Sequence, residues 1–214
     1  MTEEERLSVF LDSISERPPE HLEQFETEAK EMGVPIIRKE AQRFLKVMLA
    51  MKRPETVLEI GTGIGYSAVF MKEYAPSIKE LVTVENYEPR IKEAGERIRR
   101  ADPEEIITLR EGDAEEVLKT LPESHFDLVF LDAAKGQYPM LLPEIHRVMK
   151  KGAVLLTDNV LFQDAVLESR YVVTRRDRTI HKRMRAFLGT LMDERSFRST
   201  VLTIADGVAL SIKL

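Results

Sequence analysis

Val57-Leu58-Glu59-Ile60-Gly61-Thr62-Gly63-Ile64-Gly65-Tyr66-Ser67 decides the fold. An apolar run leads into glycines at alternate positions, and a helix-compatible stretch follows. That pattern predicts a buried parallel strand turning tightly into a helix. Two later apolar runs also end on polar oxygen-bearing residues: Phe130-Leu131-Asp132-Ala133-Ala134-Lys135 and Leu155-Leu156-Thr157-Asp158-Asn159. In an open parallel sheet, ligands bind outside the carboxyl ends of the strands. The glycine loop and the oxygen cluster are therefore expected on one rim. Asp132, Asp158 and Asn159 offer oxygen ligands to a cation, which suits Mg²⁺ and not zinc. A nucleotide-like cofactor beside a divalent metal is the resulting expectation.

Outward from these strings, apolar runs and helical stretches alternate. Strands are expected at 56–60, 80–85, 106–111, 126–131 and 153–157, with helices near 65–74, 88–101, 114–120 and 138–150. This predicts an α/β, Rossmann-like, doubly wound sheet with right-handed crossovers. The ending differs. After a helix near 177–193, strands at 199–204 and 208–213 are separated by Ala205-Asp206-Gly207. Asp-Gly is a hairpin signal, so the last strand is expected to run antiparallel to its neighbour. Upstream, Pro18-Pro19 and Gly33-Val34-Pro35 divide the first fifty residues into three helices. Phe44, Leu45, Val47, Met48 and Leu49 make the third apolar enough to lie on the sheet. Residues 1–52 read as a helical cap on one domain of 1–214.

The 214-residue chain is long enough for one domain, and 43% hydrophobic residues are enough for a core. No apolar run is long enough to span a bilayer, so no membrane partner is expected. Met1-Thr2-Glu3-Glu4-Glu5 lacks the basic-then-apolar pattern of a secretion signal. With no cysteine, disulfides, thiolate metal sites and cysteine nucleophiles are all excluded. A cytosolic location is the simplest reading. The net charge of −5 carries no global nucleic-acid signature. Its distribution is uneven: residues 1–40 sum to −6, and residues 170–185 sum to +6. A local basic patch on an acidic protein can dock a phosphate backbone.

Gly61, Gly63 and Gly65 follow a strand and precede a helix, where glycine permits a tight turn and close approach of a ligand. Tyr66 stands where a dinucleotide fingerprint wants its third glycine, which disfavours NAD. Glu85 ends the second strand, about 20 residues past the glycine loop, where a carboxylate can accept the ribose hydroxyls. Gly112-Asp113-Ala114 follows the third strand. It suits an adenine pocket, with Asp113 accepting from the exocyclic amine and the Ala114 backbone donating. Asp113 equally fits a helix N-cap.

Asp132 and Asp158-Asn159 follow strands expected to be adjacent. Singly, each fits a cap or a polar turn; jointly they fit a Mg²⁺ site with room for waters and a bidentate substrate. Lys135 lies three residues beyond Asp132. Near a divalent cation its proton is less favoured, so it is a candidate base. The alternative is a surface lysine or a partner for Asp132.

Together these strings resemble the cation-dependent O-methyltransferases of the catechol and caffeoyl-CoA type, a branch of the class I S-adenosylmethionine (SAM) methyltransferases. The resemblance covers nearly the whole chain. It rests on 57–67, Val84-Glu85, Gly112-Asp113-Ala114, Asp132-Ala133-Ala134-Lys135 with Tyr138, and Asp158-Asn159-Val160. It implies a seven-stranded sheet with an antiparallel C-terminal hairpin. It also implies SAM contacts from Glu59, Gly61, Gly63, Ser67, Glu85 and Ala114, with the backbone near Ile37 closing over the cofactor. Asp132, Asp158 and Asn159 become metal ligands, and a homodimer is implied. Within the family, the chain is similar to bacterial members that methylate 5-hydroxyuridine at the tRNA wobble position. The grounds are the short acidic N-terminal helices, 132–138, 158–162 and the basic stretch 170–185. Arg170, Arg175, Arg176, Arg178, Lys182, Arg183 and Arg185 are then candidates to track tRNA phosphates. Otherwise they form a solvated helix face, and a small-molecule catechol becomes the alternative acceptor.

Overall fold

The computed structural model describes residues 3–162 and 165–214. The cap comprises α1 (Glu3–Ile14), α2 (Glu20–Glu31) and α3 (Lys39–Lys52). Pro19, with φ −51°, stands at the N-cap of α2, where its missing N–H costs nothing. Then β1 (Thr56–Ile60), α4 (Tyr66–Tyr74), β2 (Glu80–Glu85), α5 (Glu88–Ala101), β3 (Ile107–Glu111), α6 (Ala114–Thr120) and β4 (Phe126–Leu131) alternate. A 3-10 turn (Lys135–Gln137) leads into α7 (Tyr138–Val148) and β5 (Met149–Thr157). The chain finishes with α8 (Arg178–Leu191), β6 (Phe197–Leu202) and β7 (Val208–Lys213). No helix among the described residues is long and apolar enough to cross a membrane.

The seven strands lie in the order β3-β2-β1-β4-β5-β7-β6. β1 to β5 are parallel, and β7 runs antiparallel to both β5 and β6. The order reverses between β1 and β4, which is the switch point where a crevice opens. Strand alternation builds two cores, one on each face. Leu58, Ile60, Val129 and Leu131 face α6, α7 and α8. Val57, Leu128, Phe130 and Leu156 face α2 to α5. Glu59 shares its parity with Val57, so it lies on the α4 face opposite its register partner Thr83.

Two strand starts and one exposed side chain differ from the pattern expected. β5 starts at Met149, not 153, because α7 stops at Val148 and Met149 already pairs with Phe126. Gly152, at φ 75°, and a register shift between Phe126 and Leu128 carry the irregularity. β6 starts at Phe197, whose buried ring fixes the register opposite Lys213. Val47 is 56% exposed, as it lies off the face by which Leu45, Met48 and Leu49 pack.

Candidate functional site

A cavity of about 630 Å³ opens at the carboxyl ends of β1, β2, β4 and β5. That is the size range of small-molecule and cofactor sites. Gly61, Gly63, Ser67, Glu85, Ala114 and Ile37 line it together with Asp132, Lys135, Asp158 and Asn159. The structure thus brings the glycine loop and the oxygen cluster to one rim. Glu59 is fully buried and lies outside the lining. Asp113 is exposed and also outside it; its carboxylate accepts from the Glu115 N–H at 2.9 Å, which is the N-cap geometry of α6.

The glycine loop is shaped by close packing. Gly61 has φ 102°, and a Cβ there would sit 2.1 Å from the Asp132 carbonyl oxygen. Only glycine lets the end of β1 approach the β4 rim this closely. Gly65, in the left-handed region, caps α4 without a side-chain hydrogen bond, so the first turn of α4 faces the cavity with backbone donors. Glu85 stabilises the loop. It accepts from Gly63 N at 2.9 Å and from Asn86 N and Tyr87 N, each at 3.0 Å. Three of its roughly four lone-pair positions are then used. Cofactor hydroxyls would compete with the Gly63 contact.

In the oxygen cluster Asp158 is buried, Asp132 and Asn159 are half-buried, and the two carboxyls repel. Burial first, and then the nearby Asp132, raise the Asp158 carboxyl to about 6, while the Asn159 N–H and Lys135 oppose the rise. Burial also raises Asp132, while Lys135, Asn159 and Arg90 pull it down. A cation between two such carboxyls relieves both burial and repulsion, so the donor chemistry fits Mg²⁺. Asn159 Nδ2 donates to Asp132 Oδ1 at 3.3 Å; a half-turn of the amide presents its oxygen instead. Among the described residues no three His, Cys, Asp or Glu side chains group closely enough to hold a metal ion; this rim offers two carboxyls and one amide.

Asn159 itself has φ 58°. The hairpin turn holds it there: Val160 N donates to Gly207 O and Leu161 N to Asp206 O, both at 2.9 Å. Lys135 is half-buried, with Nζ 5.7 Å from the Phe162 ring centroid. Tyr138 is fully buried and donates to the Asp158 carbonyl at 3.3 Å.

Tyr87 and Arg90 also line the cavity and were not anticipated from sequence. The signal was available, because both follow the carboxyl end of β2 on the same rim. The basic stretch divides in two. Arg178 Nε donates to Val173 O, Arg183 Nη1 to Gly136 O, and Arg185 Nη1 to Val166 O. Arg170, Arg175, Arg176 and Lys182 are exposed and make no hydrogen bond or ion pair among the described residues.

A model of the O-methyltransferase family matches residues 12–214. The chain is similar to the catechol O-methyltransferase of Niastella koreensis, 28% identical over 190 residues, 85% of each chain. It is also similar to the catechol O-methyltransferase of Mycobacterium tuberculosis, 29% identical over 75% of this chain and 74% of that one. In fold, it resembles the O-methyltransferase TomG of Streptomyces achromogenes, solved in complex with SAM. That likeness has a TM-score of 0.85 at 24% identity, covering 100% of this chain and 99% of the other. A match spanning the cap, the glycine loop, the oxygen cluster and the hairpin leaves one assignment: the chain belongs to the O-methyltransferase family.

Proposed function

We propose that the protein is a SAM- and Mg²⁺-dependent O-methyltransferase whose acceptor is 5-hydroxyuridine at the tRNA wobble position, giving 5-methoxyuridine. The observation that carries the acceptor is the place of the basic segment. α8 packs against the 3-10 turn that bears Lys135, and Arg183 Nη1 reaches the Gly136 carbonyl at 2.9 Å, so the basic segment adjoins an element of the cavity wall. A neutral phenol has no use for such a flank; a polynucleotide does.

Within this reading, the glycine loop, Glu85 and Ala114 hold SAM, and the backbone of Ile37 covers it. Asp132, Asp158 and Asn159 hold the cation. When bound, SAM supplies an electrophilic methyl and Mg²⁺ a Lewis acid that lowers the acceptor hydroxyl's pKa. With SAM bound, the acceptor oxygen would take the methyl as the sulfonium gives it up, and the hydroxyl proton would pass to neutral Lys135 or to water. Lys135 is placed at the rim to orient that hydroxyl or take its proton. A 5-hydroxypyrimidine offers O5 beside the C4 carbonyl; a catechol offers two hydroxyls. The rim accepts either pair, and the two catechol O-methyltransferase relatives favour the catechol as the second reading. Leu7, Phe10 and Ile14 of α1, exposed on one helix face, with exposed Val47 and Met51 of α3, support a homodimer.

The deciding experiment supplies SAM and Mg²⁺ with hypomodified tRNA and, in parallel, with a catechol. Methylation of tRNA, abolished by EDTA and restored by Mg²⁺, is expected. Faster methylation of the catechol transfers the assignment to the small molecule.

A further inference from the structure

Lys135 sits on a three-residue turn that has no buried residue and no side-chain cap. Something else must hold it. α8 is anchored in the core by Met184 and Phe187, both fully buried. Arg183 and Phe187, four residues apart, share a helix face. Phe187 meets the Tyr138 ring edge-on at 5.4 Å, just beyond the turn. Arg183 Nη1 donates to the Gly136 carbonyl at 2.9 Å, within the turn itself. A Cβ on residue 136 would stand 3.2 Å from that nitrogen, so glycine leaves the guanidinium its place. Tyr138 in turn donates to the Asp158 carbonyl. The rigid helix thus grips the turn at its middle and just past its end.

We propose that Arg183 is a positioning residue. It acts through the Gly136 backbone to hold Lys135 against the acceptor hydroxyl, and it is not one of the phosphate contacts. The inference rests on the O-methyl transfer reading above, but not on which acceptor is used.

The test compares Arg183→Ala, Arg183→Lys, Lys135→Ala and the double variant Arg183→Ala/Lys135→Ala, with tRNA and with a catechol. Arg183→Ala should lower kcat by about ten- to a hundredfold, the range expected for a misplaced catalytic group. KM for the acceptor and the Kd for SAM should change by less than about twofold, since neither contact is touched. Arg183→Lys, which keeps one donor, should recover part of the loss. The double variant should be no slower than Lys135→Ala alone, because the two act as one unit. Hydrogen exchange should rise at 133–138 in Arg183→Ala and stay unchanged in α8. A raised KM with unchanged kcat overturns the proposal and returns Arg183 to the phosphate contacts. Losses that add in the double variant also overturn it. If the wild type methylates neither acceptor, the functional reading fails; exchange then decides the tether alone, and unchanged protection at 133–138 refutes it.

Discussion

At the scale of single residues, Glu59 shows how strand parity turns a cofactor contact into something else. The resemblance made it a SAM ligand, but alternation puts it beneath the glycine loop, opposite Thr83. The ionised Glu59 accepts from the Thr83 hydroxyl, and the Thr62 hydroxyl lies 2.6 Å from the Thr83 oxygen. A chain of hydroxyls therefore runs from the loop to the buried carboxyl. Burial raises Glu59 to about 8; Ser67 and Thr83 oppose the rise, and Asp132 and Glu85 add to it. A folded pKa above the unfolded value stabilises the fold at low pH. That stability is lost as pH rises through the folded pKa. The cofactor-free protein should lose about 1.4 kcal/mol per pH unit from this group between its unfolded value near 4.5 and about 8. Glu59→Gln should remove that slope and make the protein more stable than wild type at about pH 8, while weakening SAM binding. Urea unfolding across pH checks it; identical slopes in the two proteins would refute the raised carboxyl. Asp132, Asp158 and Asn159 were legible in the sequence because each ends an apolar run. Asp113 was not, since capping and adenine binding ask for the same residue at the same place.

At the scale of elements, the parallel core was legible because buried strands and crossover helices have distinct periods. The hairpin was legible from Asp206-Gly207. Its purpose was not, because nothing local links residue 207 to residue 159. In three dimensions two carbonyls of the turn accept from the Val160 and Leu161 N–H groups of the loop after β5 and so hold Asn159 in a left-handed conformation. Gly207, at φ 84°, would place a Cβ 2.3 Å from Leu161 Cγ. The 3-10 turn before α7 escaped for a related reason: three residues carry no period, and its support comes from α8. Gly207→Ala should destabilise the protein by about 1–3 kcal/mol through overpacking and backbone strain. It should also lower methyl transfer more than SAM affinity, because the displaced loop bears Asp158 and Asn159, the proposed cation ligands, and not the glycine loop or Glu85. Thermal unfolding, calorimetry with SAM and turnover at saturating Mg²⁺ separate these effects. Equal losses in SAM affinity and turnover would show that the hairpin supports the whole cavity and not the loop alone.

At the scale of the molecule, charge is sorted rather than balanced. The acidic cap stands against a net −5 chain that gathers +6 into 170–185. Part of that positive charge is structural, as Arg178, Arg183 and Arg185 tie the segment to carbonyls. The remainder, Arg170, Arg175, Arg176 and Lys182, makes no such contact among the described residues, and a sequence count could not separate the two sets. The set that holds no carbonyl can turn to a bound phosphate backbone, and release its counterions, without giving up a structural contact. Arg175→Ala/Arg176→Ala should therefore weaken tRNA binding and flatten the slope of log affinity against log salt by about 0.7–0.9 per lost phosphate contact. The fold should be unaffected, since neither residue holds a backbone group. Methylation of free 5-hydroxyuridine nucleoside should be poor in wild type and unchanged in the double variant, because a nucleoside reaches only the cavity. Filter binding over a salt series, with nucleoside turnover as the control, measures both. A double variant with wild-type affinity and slope would remove the basic segment as the docking surface and leave the rim chemistry to a small acceptor.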